Sequence, residues 1–307
     1  MPAWFVGALL CVWGALFSWP AEAATGIEIA ILNSSDIAAY QEAMAGFKST
    51  GPRGALYTQY DLHGDFELGK KLARKIRASD PGLVLAVGLK AALAAKMEIV
   101  DTPVVYMMIL DPLKHHLVAP NMTGTMLEVT TDRQLKLIHT FLPSIHRVGV
   151  LYDPTKSASK VKEAAKQAAA IGMTLLGYPV STEKEIPSQL RVLLGETEAL
   201  WLLTDSTVLT NESINFLIQS ALAEHVPVIG FSAEFIRLGG FLGISVNYGE
   251  VGRETGVLAK RILDGERINP LRPMPIGRLT ISVNLKTARF LGVAVPPELN
   301  SLIDETY

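Results

Sequence analysis

The chain has 307 residues, a formal net charge of −2, and 28 basic against 30 acidic side chains. At 49% hydrophobic and 19% charged residues, the composition is globular and excludes a disordered chain. The length gives room for two domains of roughly 150 residues each. No Lys/Arg run is present, so the electrostatic footprint of a nucleic-acid binder is missing.

The first residues differ from the rest. Pro2 to Pro20 carries no charge and holds three of the four tryptophans, and it is followed by Ala21-Glu22-Ala23. An apolar run ending in an A-x-A-like site reads as a secretory signal peptide over 1–23, removed before Ala24. An uncleaved anchor helix is the alternative, because about 19 apolar residues just span a bilayer. Cys11, the one cysteine, lies inside this run behind Leu10, where a lipoprotein site needs a small residue. Removal of the leader leaves no disulfide, thiol nucleophile or cysteine-based metal site.

From Ala24 short apolar runs alternate with amphipathic stretches. The pattern predicts strands at 26–33, 56–62, 83–87 and 104–110, with helices at 36–48, 66–78 and 90–98 between them. Ser34 or Ser35 is the expected N-cap of the first helix, and Asp65 that of the second. Runs such as Leu83 to Val87 and Val104 to Leu110 are apolar throughout, as in parallel strands covered on both faces. The alternation resumes with a helix at 130–141, strands at 147–152, 174–180, 199–203, 226–230 and 243–246, and helices at 157–171, 186–194, 211–225 and 250–263.

Two successive β/α blocks predict an α/β protein of two doubly wound parallel-sheet lobes with a cleft between them and three hinge crossings. The crossings are expected at 121–125, 245–249 and 272–278. The lobes are then 24–123 plus 248–274 and 124–247 plus 275–307.

Ligands of open parallel sheets bind beyond the carboxyl ends of the strands, so the strand-end residues are the candidate site. The ligand-binding candidates are Ser34, Ser35, Gly88, Lys90 and Asp111 in the first lobe. In the second they are Tyr152, Ser157, Asp205, Ser206, Phe231, Ser232 and Asn247. Hydroxyls with a few charges suit a small polar or zwitterionic solute, a helix N-terminus taking a carboxylate and an aspartate an ammonium. Asp205 is the strongest of them, because Ser206 and Thr207 are available to cap the next helix without it. Each has a plainer role: Ser and Asp at strand ends cap helices, Asp before Pro forms turns, and Phe231 packs. No Walker A loop, G-x-S-x-G or strand-borne G-x-G-x-x-G occurs, and the adjacent His115 and His116 lack a third ligand. The sequence therefore assigns no catalytic residue, no metal site and no cofactor.

Several stretches together resemble a known family. They are Pro103-Val104-Val105-Tyr106 leading to Asp111-Pro112, Asn121-Met122-Thr123-Gly124, Leu142-Pro143 leading to Val148-Gly149-Val150-Leu151-Tyr152, and Val226-Pro227-Val228-Ile229. Gly239-Gly240, and Asn284 followed by Ala288 and Leu291-Gly292-Val293, complete the set. The sequence is similar to ABC transporter substrate-binding proteins grouped with the tryptophan/tyrosine-binding lipoproteins, and the likeness runs through the whole mature chain. It implies a type 1 periplasmic-binding fold, an amino-acid-like ligand, an ABC permease as membrane partner, a periplasmic location and a monomer without enzymatic activity. Two stretches depart from the family pattern. Gly88-Leu89-Lys90 stands where a Gly-Thr-Pro turn is usual, and Asp153-Pro154-Thr155-Lys156-Ser157 replaces a loop with Asn and Glu. The added Lys90 cation points to a more anionic solute. A periplasmic sensor subunit with the same fold and cleft is the alternative reading, and a cleft enzyme a more remote one.

Overall fold

The computed structural model describes residues 26–307. The leader reading and Cys11 fall outside that range. The first block of the chain runs β1 (Glu28–Asn33), α1 (Ala38–Thr50), β2 (Leu56–Asp61), α2 (Phe66–Ser79), β3 (Leu83–Val87), α3 (Leu89–Glu98), β4 (Val104–Ile109) and β5 (Met122–Met126). These strands form a parallel sheet in the order β2-β1-β3-β4-β5. β3 and β4 are buried along their whole length, because helices cover both faces. Leu83, Leu85 and Val87 face one apolar cluster, and Val84 and Ala86 face the other.

The second block runs α4 (Thr131–Phe141), β6 (Arg147–Tyr152), α5 (Pro154–Ala170), β7 (Thr174–Pro179), α6 (Ile186–Glu196), β8 (Ala199–Trp201), α7 (Asn211–Ala223), β9 (Val228–Gly230), α8 (Ala233–Arg237) and β10 (Leu242–Val246). Then α9 (Tyr248–Leu263) returns to the first lobe, and β11 (Leu279–Val283), α10 (Leu285–Leu291) and β12 (Glu305–Thr306) complete the second. The second sheet has the order β12-β11-β10-β9-β8-β6-β7. It is parallel except where β11 runs antiparallel to β10.

α9 belongs to the first lobe because its small face lets it lie directly against α1. A Cβ on Gly252 would sit 1.8 Å from the Ala43 carbonyl oxygen, and one on Gly46 would sit 2.1 Å from that of Gly249. Only glycine permits the two helices to approach so closely.

The chain passes between the sheets after β5, after β10 and again between α9 and β11. The expected crossing at 121–125 is displaced by β5, which continues the first sheet to Met126. The Asn-Met-Thr-Gly stretch reads as a loop, yet its glycine serves packing: a Cβ on Gly124 would lie 2.3 Å from a ring carbon of Tyr106. Asn121 holds the entry to the strand by donating to the carbonyls of Ile99 (3.0 Å) and Thr102 (2.8 Å). Neither Ser34 nor Ser35 caps α1, whose N-cap is Ile37, without a side-chain bond. Asp65 does cap α2, accepting from the N–H groups of Glu67 and Leu68.

Candidate functional site

The carboxyl ends of β1, β3 and β4 carry the first-lobe candidates. Ser34 is buried, and its Oγ accepts from Ala91 N–H at 3.0 Å. It therefore caps α3 from a neighbouring strand. Gly88 opens α3 at φ +83, and a Cβ there would lie 2.6 Å from Tyr40 Oη and 2.8 Å from Ser34 Oγ. The turn needs glycine for both its backbone angle and its space. Ser35 is half-buried, and its carbonyl accepts from Asn33 Nδ2 at 2.8 Å. Lys90 is exposed in the first turn of α3, and its Nζ donates to the neutral Gly64 carbonyl. Asp111 is exposed beyond β4 at φ +42, with one carboxylate oxygen accepting from Lys114 N–H at 3.1 Å.

In the second lobe the candidates form a hydrogen-bonded network between the β6–α5 turn and the segment after β8. Asp205, 3% exposed, accepts from Asp153 N–H (2.9 Å) and Ser157 Oγ–H (2.6 Å) on one oxygen, and from Thr207 N–H (2.9 Å) on the other. Three of roughly four acceptor positions are thus filled by the chain itself. The sequence reading leaves Asp205 free because Ser206 or Thr207 would cap the next helix. In the structure that cap is Thr210, paired with Ser213 in a capping box. Ser206 and Thr207 instead receive Lys156 Nζ at 2.8 and 2.7 Å.

Asp153 caps α5 through Thr155 N–H and also accepts from the hydroxyls of Thr155 and Thr207. The Thr207 bond, then the two from Thr155, hold its carboxyl below the usual carboxylate range. Lys156 Nζ lies 3.9 Å from it.

The remaining candidates have plainer surroundings. Tyr152 is half-buried and packs against Gly177. Phe231 meets Phe235 edge-on at 4.7 Å between ring centroids. Ser232 is the N-cap of α8 without a side-chain bond. Asn247 caps α9, accepting from Glu250 N–H at 2.9 Å. Thus the structure brings Ser34, Gly88 and Lys90 together at one lobe's strand ends, and Ser157, Asp205 and Ser206 at the other's. Every hydrogen bond recorded for the side chains of these two sets stays within its own lobe, whereas Asn247 joins the lobes at the second crossing. Tyr40, on α1, escapes the sequence reading because it lies in no strand-end motif, and Thr207 is marked there only as a helix cap.

Two α/β lobes, each built on a largely parallel sheet and joined by three crossings, match the type 1 periplasmic-binding-protein fold. The sequence profile described as "ABC transporter substrate binding protein" matches residues 32–306, and the chain belongs to that family. Membership implies a small-molecule ligand and a membrane ABC permease as partner. Among relatives, the "Tyrosine-binding protein" of Clostridioides difficile is 22% identical over 239 residues, covering 75% of this chain and 69% of its own. A ligand-free, open structure of a substrate-binding protein with adhesive properties from Clostridium difficile superposes with a TM-score of 0.76. It is 24% identical and covers 91% of this chain and 98% of its own. A domain from Streptococcus pneumonia in complex with L-Trp gives a TM-score of 0.58 at 20% identity, covering 92% of this chain and 100% of its own.

Proposed function

We propose that this protein captures a small amino-acid-like zwitterion in the interlobe cleft and delivers it, chemically unchanged, to an ABC importer. The observation that carries the ligand class is a pair of opposite charges on adjacent strand ends. Lys90 follows β3 and Asp111 follows β4, and these strands are hydrogen-bonded neighbours. Lys90 spends its ammonium on a neutral carbonyl, and Asp111 spends one oxygen on a turn N–H. Each keeps capacity for a charged group of opposite sign, Lys90 for a carboxylate and Asp111 for an ammonium. From the second lobe Lys156, Ser206 and Phe231 would meet the solute on closure, while Asp205 supports that wall. The tyrosine-binding and L-Trp-bound relatives favour an amino acid, and Lys90 favours one with an extra anionic group.

The remaining parts of this reading follow the fold and the leader. The lobes are 26–126 with 248–274, and 127–247 with 275–307. The leader ending at Ala23 directs export to the periplasm, where the protein works as a monomer.

Calorimetric titration of ligand-stripped protein with single amino acids, including the dicarboxylic ones, tests the proposal. At least one zwitterion is expected to bind with micromolar or better affinity, and Lys90→Ala and Asp111→Ala to weaken it at least tenfold each. Binding of a neutral sugar, with every zwitterion silent, would overturn it.

A further inference from the structure

The third crossing, 275–278, leaves the first lobe where Met274 runs beside β5. There its N–H donates to the Gly124 carbonyl (2.8 Å) and its carbonyl accepts from Met126 N–H (2.9 Å). Five residues later, at Leu279, the chain enters β11 of the second lobe. The backbone in between is gripped from both sides. Arg133, on α4 of the second lobe, donates through its two terminal nitrogens to the carbonyls of Ile276 and Gly277. Glu254, on α9 of the first lobe, accepts from Gly277 N–H (2.8 Å) and Arg278 N–H (3.1 Å). A Cβ on Gly277 would lie 2.4 Å from Glu254 Oε1, so the glycine is what allows the carboxylate to close on the strap.

Arg278 repeats the pattern with its side chain. One terminal nitrogen donates to Asp304 at 3.0 Å, and Asp304 in turn accepts from Ile281 N–H of β11. The other terminal nitrogen lies 4.0 Å from Glu250 on α9. Glu250 is itself held by Arg253 at 2.8 Å. The guanidinium thus spans the two lobes as a fork that a lysine would not reproduce. A cavity of about 340 Å³ beside it, lined by Arg133, Leu137, Gly277, Leu302 and Asp304, gives the arginine room to swing away.

We propose that Arg133, Glu254 and Arg278 form an interlobe latch that holds the lobes at the separation seen here and sets ligand affinity without touching the ligand. A rotation of one lobe against the other moves α4 relative to α9, and a strap fixed to both cannot follow without releasing one grip. Contacts made at one separation and lost at another stabilise the first by their full differential. At this separation Lys90 and Ser34 of one lobe and Asp205, Ser157 and Ser206 of the other share no hydrogen bond, so a released latch is expected to let the lobes close. Apparent affinity scales with the fraction of protein already competent to bind, so loosening the latch raises it. This consequence rests on the solute-binding reading of the cleft; the latch itself does not.

The test therefore uses no ligand. Spin labels on cysteines at Glu67 and Lys184, both exposed beyond the edge strands β2 and β7, report the interlobe distance by pulsed electron resonance. Cys11, the chain's only cysteine, is changed to serine in the same background. Arg278→Gln is expected to add a shorter-distance component, raising the closed population about threefold, the scale of one exposed ion pair. Glu254→Ala is expected to raise it further, and about 1 M NaCl to move the wild type the same way, because exposed pairs are screened there. Arg278 is 66% exposed, so its loss leaves the fold intact. A folded Arg278→Gln protein with the wild-type distance distribution, in low salt and high, would overturn the latch. A shifted distribution in a protein that binds no zwitterion would keep the latch and sink the ligand reading.

Discussion

Replacing Asp205 with alanine separates a supporting role from a ligand contact. The substitution removes the acceptor of Asp153 N–H, Ser157 Oγ–H and Thr207 N–H at a site where the side chain is 3% exposed. A buried donor left without a partner costs at least about 1 kcal/mol, and bonds to a charged acceptor are worth more. Three such losses give about 3 kcal/mol. For a chain of this size each kcal/mol moves the melting temperature by about 2–4 °C, so Asp205→Ala is expected to melt about 6–12 °C below wild type. Asp205→Asn keeps one acceptor oxygen and should fall between the two. The assay is thermal unfolding followed by circular dichroism without ligand, paired with calorimetric titration of the protein that remains folded at 20 °C. A melting point within about 2 °C of wild type, together with lost binding, would refute the supporting role and make Asp205 the holder of the ligand's ammonium.

Other parts of the account can be tested as simply. Tyr106 buries its hydroxyl without a partner, and burial pushes its pKa up to about 12. Tyr106→Phe should therefore leave the melting temperature unchanged or raise it by about 2–4 °C, the effect of relieving about 1 kcal/mol; a clear drop in a melting curve would reveal a bond to that oxygen. Gly252→Ala places a Cβ 1.8 Å from a backbone carbonyl on α1, and urea unfolding should show a loss of about 3 kcal/mol, the upper end of the overpacking range; a loss below about 1 kcal/mol would mean α9 slides on α1 at little cost. Asp153 has a depressed carboxyl pKa, from the Thr207 bond first and then Thr155. A carboxyl depressed in the folded state contributes stability above its unfolded pKa, and that stability is lost as pH falls through the folded value. Asp153→Asn should thus flatten the fall in melting temperature on acidification below the ordinary carboxylate range, and an unchanged slope would contradict the assignment.

The sequence speaks most clearly where structure is dictated locally. The runs 83–87 and 104–110 announce buried parallel strands because both faces are covered, the second ending one residue early at Ile109, and Asp65 announces its own helix. β5 is hidden because Asn121 and Gly124 look like loop residues, although the glycine is there for the ring of Tyr106. α8, α10 and β12 are too short to show a period. The site is less legible for a different reason: its roles are assigned by distant partners. Ser34 caps a helix that begins beyond another strand. Asp205 is committed to residues 48 and 52 positions earlier in the chain, and no pattern within a strand-end motif reveals that. Strand-end position alone therefore cannot rank Asp205 against Asp111.

The central claim, a small zwitterion carried in the cleft, is tested most directly by native mass spectrometry of the protein purified without dialysis against denaturant. The account predicts a mass excess that is released on collisional activation and identified as an amino-acid-like molecule. The same adduct should be reduced or missing in Lys90→Ala and Asp111→Ala prepared alongside. An adduct that is a neutral sugar, or a zwitterion retained equally by both variants, would contradict it.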